Sequence, residues 1–191
     1  YGRPPMHIDM PDWVRLEYPS WMGPSLRAIF GPRLEMELQA LSQTAPVDLR
    51  VNTLKATREQ VQAALTGDGI EVEPTPLSPL GLRLQSRARL GGTHAFKHGL
   101  FEVQDEGSQL IALLAGVRPG MTVIDYCAGA GGKTLAMAAA LGPAARSEAE
   151  AGAPRGRLIA CDVSRYRMDR MAPRLKRAGA DMVRRQVVAA R

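Results

Sequence analysis

The sequence predicts an α/β fold: a Rossmann-like core preceded by a small α+β subdomain and an N-terminal helical segment. Two stretches place the core. In MTVIDYCAGAGGKT (Met121 to Thr134) a short apolar run ends in Asp125, a small-residue loop follows, and LAMAAAL then continues as a helix. Strand, glycine loop and helix together open a βαβ unit. RLIACD (Arg157 to Asp162) is apolar until its last residue and reads as the second strand. The subdomain is signalled by VDLRVNTL, where Val47, Leu49 and Val51, extending to Thr53, fall on one face of a strand. The expected division is 1–45 helical segment, 46–103 α+β subdomain, 104–191 first part of the Rossmann-like domain.

In chain order, the first segment carries several prolines, both tryptophans and the amphipathic piece PSLRAIFGPRLEMELQALSQ. Leu34, Leu38 and Leu41 have helical spacing there, and the aromatic and Met side chains are expected in a core or at docking contacts. After VDLRVNTL, Thr57 is a plausible N-cap for REQVQAALTGDGI, with Val61, Ala64 and Leu65 inward and Gly67 or Gly69 as the stop. EVEP and GLRLQ are further strands flanking the turn PTPLSPLG. Arg50, Asn52, Lys55, Arg83, Arg87, Arg89 and Lys97 are candidates for phosphate contact, which positions a nucleic acid without reading its sequence. For Asn52 a turn or strand-edge role is preferred.

FEVQDEGSQLIALLAGV starts as a short strand at Phe101 and Val103. Asp105 or Ser108 then caps a helix whose Leu110, Ile111, Leu113 and Leu114 are expected to face a core. GPAARSEAEAGAPRG has no apolar periodicity and reads as a surface insertion. In DVSRYRMDRMAPRLKRAGA, Met168, Met171 and Leu175 lie on one helical face, and Pro173 is expected to kink or split the helix. DMVRRQVV gives a third strand.

The glycine loop has three readings. A P-loop requires GxxxxGK[ST]; Gly132, Lys133 and Thr134 satisfy its end, but Cys127 stands where the leading glycine belongs. A dinucleotide fingerprint begins at Gly129 and Gly131 but meets Thr134 in place of its third glycine. There remains an acid four residues before GxG, a spacing suited to a nucleoside held by its own groups and by backbone, as in S-adenosylmethionine (SAM) sites. A glycine turn with no ligand is the plain structural alternative. Asp162, at the tip of the next strand, is placed to accept from both hydroxyls of a ribose.

Composition narrows the classes. The 191 residues are 45% hydrophobic and 23% charged, enough for one or two cores. No apolar run approaches the ~20 residues of a membrane span. The start YGRPPMHIDMPDWV has neither a signal segment nor an initiator Met and reads as a cytoplasmic protein entered partway. With only Cys127 and Cys161, neither a disulfide framework nor a zinc site is expected. Both are read as small buried residues. Net charge is +6, and Arg155 to Arg191 holds eleven Lys/Arg against Asp162, Asp169 and Asp181. Such a surface suits a polyanion through counterion release, although solvated helix faces give the same count.

DYCAGAGGKT resembles motif I of the Nop/Sun family of RNA (cytosine-5) methyltransferases, written DxCAAPGGKT, and departs from it at Gly129 and Ala130. LRVNTLKATREQ and GLFEVQDEGSQL resemble upstream motifs of the same family in the same order. The resemblance implies an incomplete class I methyltransferase core, SAM as cofactor, and ribosomal or transfer RNA as partner, without a membrane or metal. Oligomeric state is left open. The implied cofactor contacts are Asp125, Cys127, Ala128, Gly129, Ala130, Gly131, Gly132, Lys133, Asp162 and Arg167. Gln104 and Asp105 belong to a family motif, and facing the active-site region is set beside helix capping as their role. The family adds a cysteine thiolate to C6 of cytosine so that C5 attacks the methyl group, and a second cysteine assists release. Those cysteines lie in PCSG-type and TCS-type loops; neither string occurs here, so no catalytic residue is expected in this chain. The chain is therefore expected to be an N-terminal fragment without methylating activity, with a non-catalytic RNA-binding module as the alternative.

Overall fold

A computed structural model describes residues 9–142 and 156–189. The GPAARSEAEAGAPRG insertion therefore lies almost wholly outside the described residues. The chain divides into two compact units, Tyr1–Ala45 and Pro46–Arg191.

In the first unit, α1 (Asp12–Arg15), α2 (Gly23–Phe30) and α3 (Leu34–Leu41) surround Leu16, Tyr18, Leu34 and Leu38. Arg15 pairs with Glu35, tying α1 to α3. The helical spacing of Leu34 and Leu38 does face the core, whereas Leu41 and both tryptophans are exposed, Trp21 by 77%. Met22, Leu26 and Phe30 pack against this core, partly buried.

The second unit begins with β1 (Asp48–Val51), α4 (Arg58–Gly67), β2 (Val72–Pro74), β3 (Gly81–Leu84), α5 (His94–Lys97) and β4 (Phe101–Val103). All pairings are antiparallel in the order β2-β3-β1-β4, the split βαβ arrangement of ferredoxin-like domains. A capping box starts α4: the Gln60 N–H donates to the Thr57 hydroxyl, and the Thr57 N–H to the Gln60 side chain. Alternation along β1 puts Leu49 and Val51 on the face that α4 covers, where they join Val61, Leu65, Leu82, Leu84 and Phe101.

The other face of this sheet is polar, yet it too is buried. Asp48 is 3% exposed and Arg50 2%. Arg83 donates to both Asp48 oxygens, and the Arg50 Nε donates to Gln104 at 2.6 Å. Burial pushes the Arg50 guanidinium down to about 10 despite the nearby Glu102 carboxylate, so it stays charged at neutral pH. Of the seven candidates for phosphate contact, Arg50, Arg83 and Asn52, for which the sequence favours a structural role, make hydrogen bonds within the molecule, as does the exposed Lys55. Arg87, Arg89 and Lys97 are exposed.

What covers the polar face is the rest of the unit. There follow α6 (Glu106–Leu114), β5 (Thr122–Asp125), α7 (Gly132–Leu141), β6 (Arg157–Asp162), α8 (Arg165–Ala178) and β7 (Val183–Val187). β5, β6 and β7 are parallel and adjacent in that order. Leu135, Ala138 and Leu141 of α7 and Met168, Met171 and Leu175 of α8 bury Leu158 and Ala160 of β6. α8 runs without interruption through Pro173, so the helix is not split there. Pro173 is on the exposed side, where a carbonyl left without its N–H partner faces solvent and not the core. Ser164 caps the helix start and the left-handed Gly179 its end.

α6 also departs from the sequence expectation. Its buried residues are Glu106, Gln109 and Ala112, while Ile111, Leu113 and Leu114 are exposed, Leu114 by 86%. The polar side is held inward because Glu106 accepts the Leu77 and Ser78 N–H groups and Gln109 accepts the Ser78 hydroxyl. Burial works against the Glu106 carboxylate, but hydrogen bonds from Ser78, Thr75 and Leu77 outweigh it and leave it below its usual range.

The C-terminal end of α8 docks on the ferredoxin-like part through its last carbonyls, which have no intrahelical partner. The Asn52 amide donates to the Ala178 carbonyl at 2.9 Å and to the Gly99 carbonyl at 2.8 Å. Lys55 Nζ donates to the Arg177 and His98 carbonyls. Gly99 has φ +67°, and a Cβ there would overlap the Arg177 carbonyl. Asn52→Leu keeps the side-chain size but strands two buried carbonyls. The expected loss is about 2–4 kcal/mol, seen as a lower urea midpoint with an unchanged slope.

Candidate functional site

The loop between β5 and α7 sits where the parallel strands end. Asp125 pairs in register with Ala160, so Asp162 stands two residues further along the neighbouring strand and the two acidic tips are side by side. The loop is held to β6 by its own amides: the Ala128 N–H donates to the Cys161 carbonyl, and the Gly129 N–H to Asp162 Oδ2 at 2.8 Å. Asp162 Oδ1 accepts the Ser164 N–H, also at 2.8 Å. These two N–H groups, Ser164 before Gly129, hold the buried Asp162 carboxyl below its ordinary range, with a smaller contribution from the Arg167 charge. The Arg167 N–H itself completes the α8 cap on Ser164.

Gly129 and Gly131 do different work. Both have positive φ, +55° and +89°. A Cβ on Gly129 would meet nothing within 4 Å, so this side of the loop is open to a ligand. A Cβ on Gly131 would come within 2.6 Å of Met171 Cγ, so here glycine lets the loop lie against α8. Gly131 is also the left-handed N-cap of α7, which starts three residues earlier than the LAMAAAL run suggests. The Gly132 and Lys133 N–H groups consequently fall in the first turn, with no intrahelical acceptor.

A cavity of about 290 Å³ is lined by Gln104, Asp105, Ser108, Asp125, Cys127, Ala128, Gly132 and Lys133. It joins the FEVQDEGSQL stretch to the glycine loop. Asp105 caps α6 by accepting the Ser108 N–H, and it also lines the cavity. Cys161 is buried as expected, but Cys127 is exposed, because it belongs to the cavity wall and not to the β5 core. Among the described residues no cluster of three metal-ligating side chains occurs, and no helix is long and apolar enough to cross a membrane.

Three partners of the loop are not marked by the glycine pattern. The Thr134 hydroxyl donates to Asp125 Oδ2 at 2.6 Å, fixing the first acid from within α7. Arg174 donates to the Ala130 carbonyl at 2.6 Å and to Glu102 Oε2 through Nε and a terminal nitrogen. Glu102, buried on β4, is shared with Arg177. The sequence signal was present in part: Glu102 sits in the FEVQDEGSQL stretch, and Arg174 follows four residues after Arg170 on α8.

The chain is similar to known proteins in sequence and in fold. The family model described as Methyltr_RsmF/B-like, ferredoxin-like domain matches residues 18–90. Ribosomal RNA small subunit methyltransferase B of Pseudomonas putida is 32% identical over 168 residues, 88% of this chain and 36% of that protein. The crystal structure of PH0851 superposes with a TM-score of 0.82 at 28% identity, covering 99% of this chain and 40% of the other. NSun6 from Pyrococcus horikoshii, solved with SFG, shares the fold (TM-score 0.72, 17% identity), covering 91% of this chain and 65% of that one. The chain thus spans about a third of the length of the curated relative and less than half of PH0851. With three motifs in order, a ferredoxin-like sheet and a glycine loop between adjacent acidic strand tips, the chain belongs to the Nop/Sun family of RNA (cytosine-5) methyltransferases.

Proposed function

We propose that this chain is the methyl-donor-binding part of a SAM-dependent enzyme that forms 5-methylcytosine in ribosomal or transfer RNA, acting in the cytoplasm. The observation that carries the reading is the pair of acids on adjacent parallel tips flanking a loop whose Gly129 side is open. In this reading residues 46–103 form the ferredoxin-like domain and 104–191 the first part of the donor-binding domain. The donor, when bound, supplies a methyl group on a sulfonium centre that a carbon nucleophile can attack.

The chain's residues fit such a ligand. Asp162 accepts the ribose hydroxyls. The first-turn N–H groups of Gly132 and Lys133, with the Lys133 charge, suit a carboxylate at the positive end of α7. Asp125 and Asp105 supply the carboxylate acceptors that an ammonium group requires, and Gln104 lines the same cavity. Cys127, though exposed, lies in the donor loop and is not assigned as the nucleophile; the cysteines that attack C6 and release product belong to motifs absent from these 191 residues. The chain by itself is therefore expected to bind donor and to transfer no methyl group to RNA. Labelled methyl transfer by this chain alone would overturn that.

Calorimetry with SAM and with its demethylated product tests the site. Asp162→Ala is expected to weaken binding about 10–100-fold, as loss of charge-assisted hydrogen bonds does. Undiminished affinity would remove the ribose assignment, and RNA binding without any donor binding would favour the non-catalytic module. The sign of the pH dependence follows from the depressed Asp162 carboxyl. Its contribution is complete above the ordinary value of 3.8 and is lost only as pH falls through the lower folded value. Donor affinity is thus expected to stay level on mild acidification; a decline that begins near neutrality would point to another group.

A further inference from the structure

The basic C-terminal stretch is not a uniform solvated surface. Arg170, Arg174 and Arg177 recur along one side of α8 and, with Phe96, Glu102, Val103 and Ala130, line a groove of about 430 Å³. Three guanidinium groups face one carboxylate there, an excess of two positive charges. That carboxylate is already spoken for, since Glu102 is shared by Arg174 and Arg177. Arg170 is exposed, lies over the Tyr166 ring at 5.8 Å, and has no ion pair among the described residues. The groove is partly apolar: Arg177 stacks on Phe96 at 3.9 Å, and Val103 is exposed. It ends at Ala130, inside the glycine loop.

We infer that this groove holds the backbone of a single RNA strand and leads it past the donor loop. The inference rests on the RNA reading above and deepens it. Arg174 and Arg177 are consumed in holding Glu102, so they set the wall and its potential. Arg170 is the group with free donors, and a guanidinium fork suits a phosphodiester in two-point contact. The exposed Val103 and the rim of Phe96 give a base an apolar surface to lie on, the combination by which single strands are held without sequence preference. The polar face of the ferredoxin-like sheet offers no competing platform, because α6 and α8 cover it.

Fluorescence polarisation with a labelled single-stranded RNA across a salt series, using the full chain, tests this. Arg170→Gln is compared with Arg118→Gln, an exposed arginine outside the groove. Arg170→Gln is expected to weaken binding several-fold at low salt and to reduce the salt slope by ~0.7, one phosphate contact on a single strand. Arg118→Gln is expected to match the unsubstituted chain. Equal behaviour of the two variants overturns the groove while the RNA reading stands, and so does tighter binding of polyglutamate than of RNA. No RNA binding by the unsubstituted chain overturns both, and SAM calorimetry on the same preparation then shows whether the donor site survives them.

Discussion

The arrangement of the second unit depends on one buried carboxylate. Glu102, on β4 of the ferredoxin-like sheet, is enclosed by Arg174 and Arg177 of α8, with Arg50 beneath it on the neighbouring strand. A carboxylate in that position must be compensated, since a buried charge left without its partner destabilises by about 3–5 kcal/mol. The pairing therefore fixes where α8 lies on the sheet. Because α8 leaves directly from the tip of β6, it fixes Asp162 and Ser164 as well. Because Arg174 also holds the Ala130 carbonyl, the position of the glycine loop follows from the position of the sheet.

That coupling explains why three separated motifs occur together. The RVNTLK stretch supplies Arg50, Asn52 and Lys55, of which the last two satisfy the terminal carbonyls of α8. The FEVQDEGSQL stretch supplies Glu102 for the arginines, Gln104 for Arg50, and Asp105 for both a helix cap and the cavity wall. Motif I supplies the loop that the other two hold. An apolar interface of the same area would be about as stable. What the polar one adds is register: Asn52 donates to the Ala178 carbonyl and Lys55 to the Arg177 carbonyl, and a shift of α8 by one residue would break both bonds.

Legibility from sequence divides along the same line. Elements whose apolar residues repeat with period two or 3.6 were readable, as were the cap at Thr57 and, as one of two candidates, the cap at Asp105, because those signals are local. The polar interface was not. Arg50 and Arg83 look like surface arginines in any window of sequence, and only the sheet order, which sets β4 and β3 on either side of β1, shows that Arg50 is enclosed and that Arg83 lies beside Asp48. The same limit misplaced the α6 leucines: apolar spacing favoured Leu113 and Leu114 as the inner face, but Glu106 and Gln109 found partners around Ser78 that a periodicity cannot see. Cys127 looked buried because small residues surround it in sequence, whereas the loop turns it into a cavity.

Asp162 poses the remaining question of how one carboxylate serves two ends. Each of its oxygens already accepts one backbone N–H, from Gly129 and from Ser164. Each oxygen also has a second lone pair, so two further donors can be accommodated without giving up either bond. The backbone bonds orient the carboxylate before any ligand arrives, and bonds made by a group already held in place cost little conformational entropy on binding. The same count shows why an amide would serve poorly. Its NH₂ would have to face either the Gly129 or the Ser164 N–H, donor against donor, and the loop or the helix cap would have to move away. Two acceptor oxygens at this position are therefore a requirement of the loop itself, and the same two N–H groups hold the carboxyl below its ordinary range.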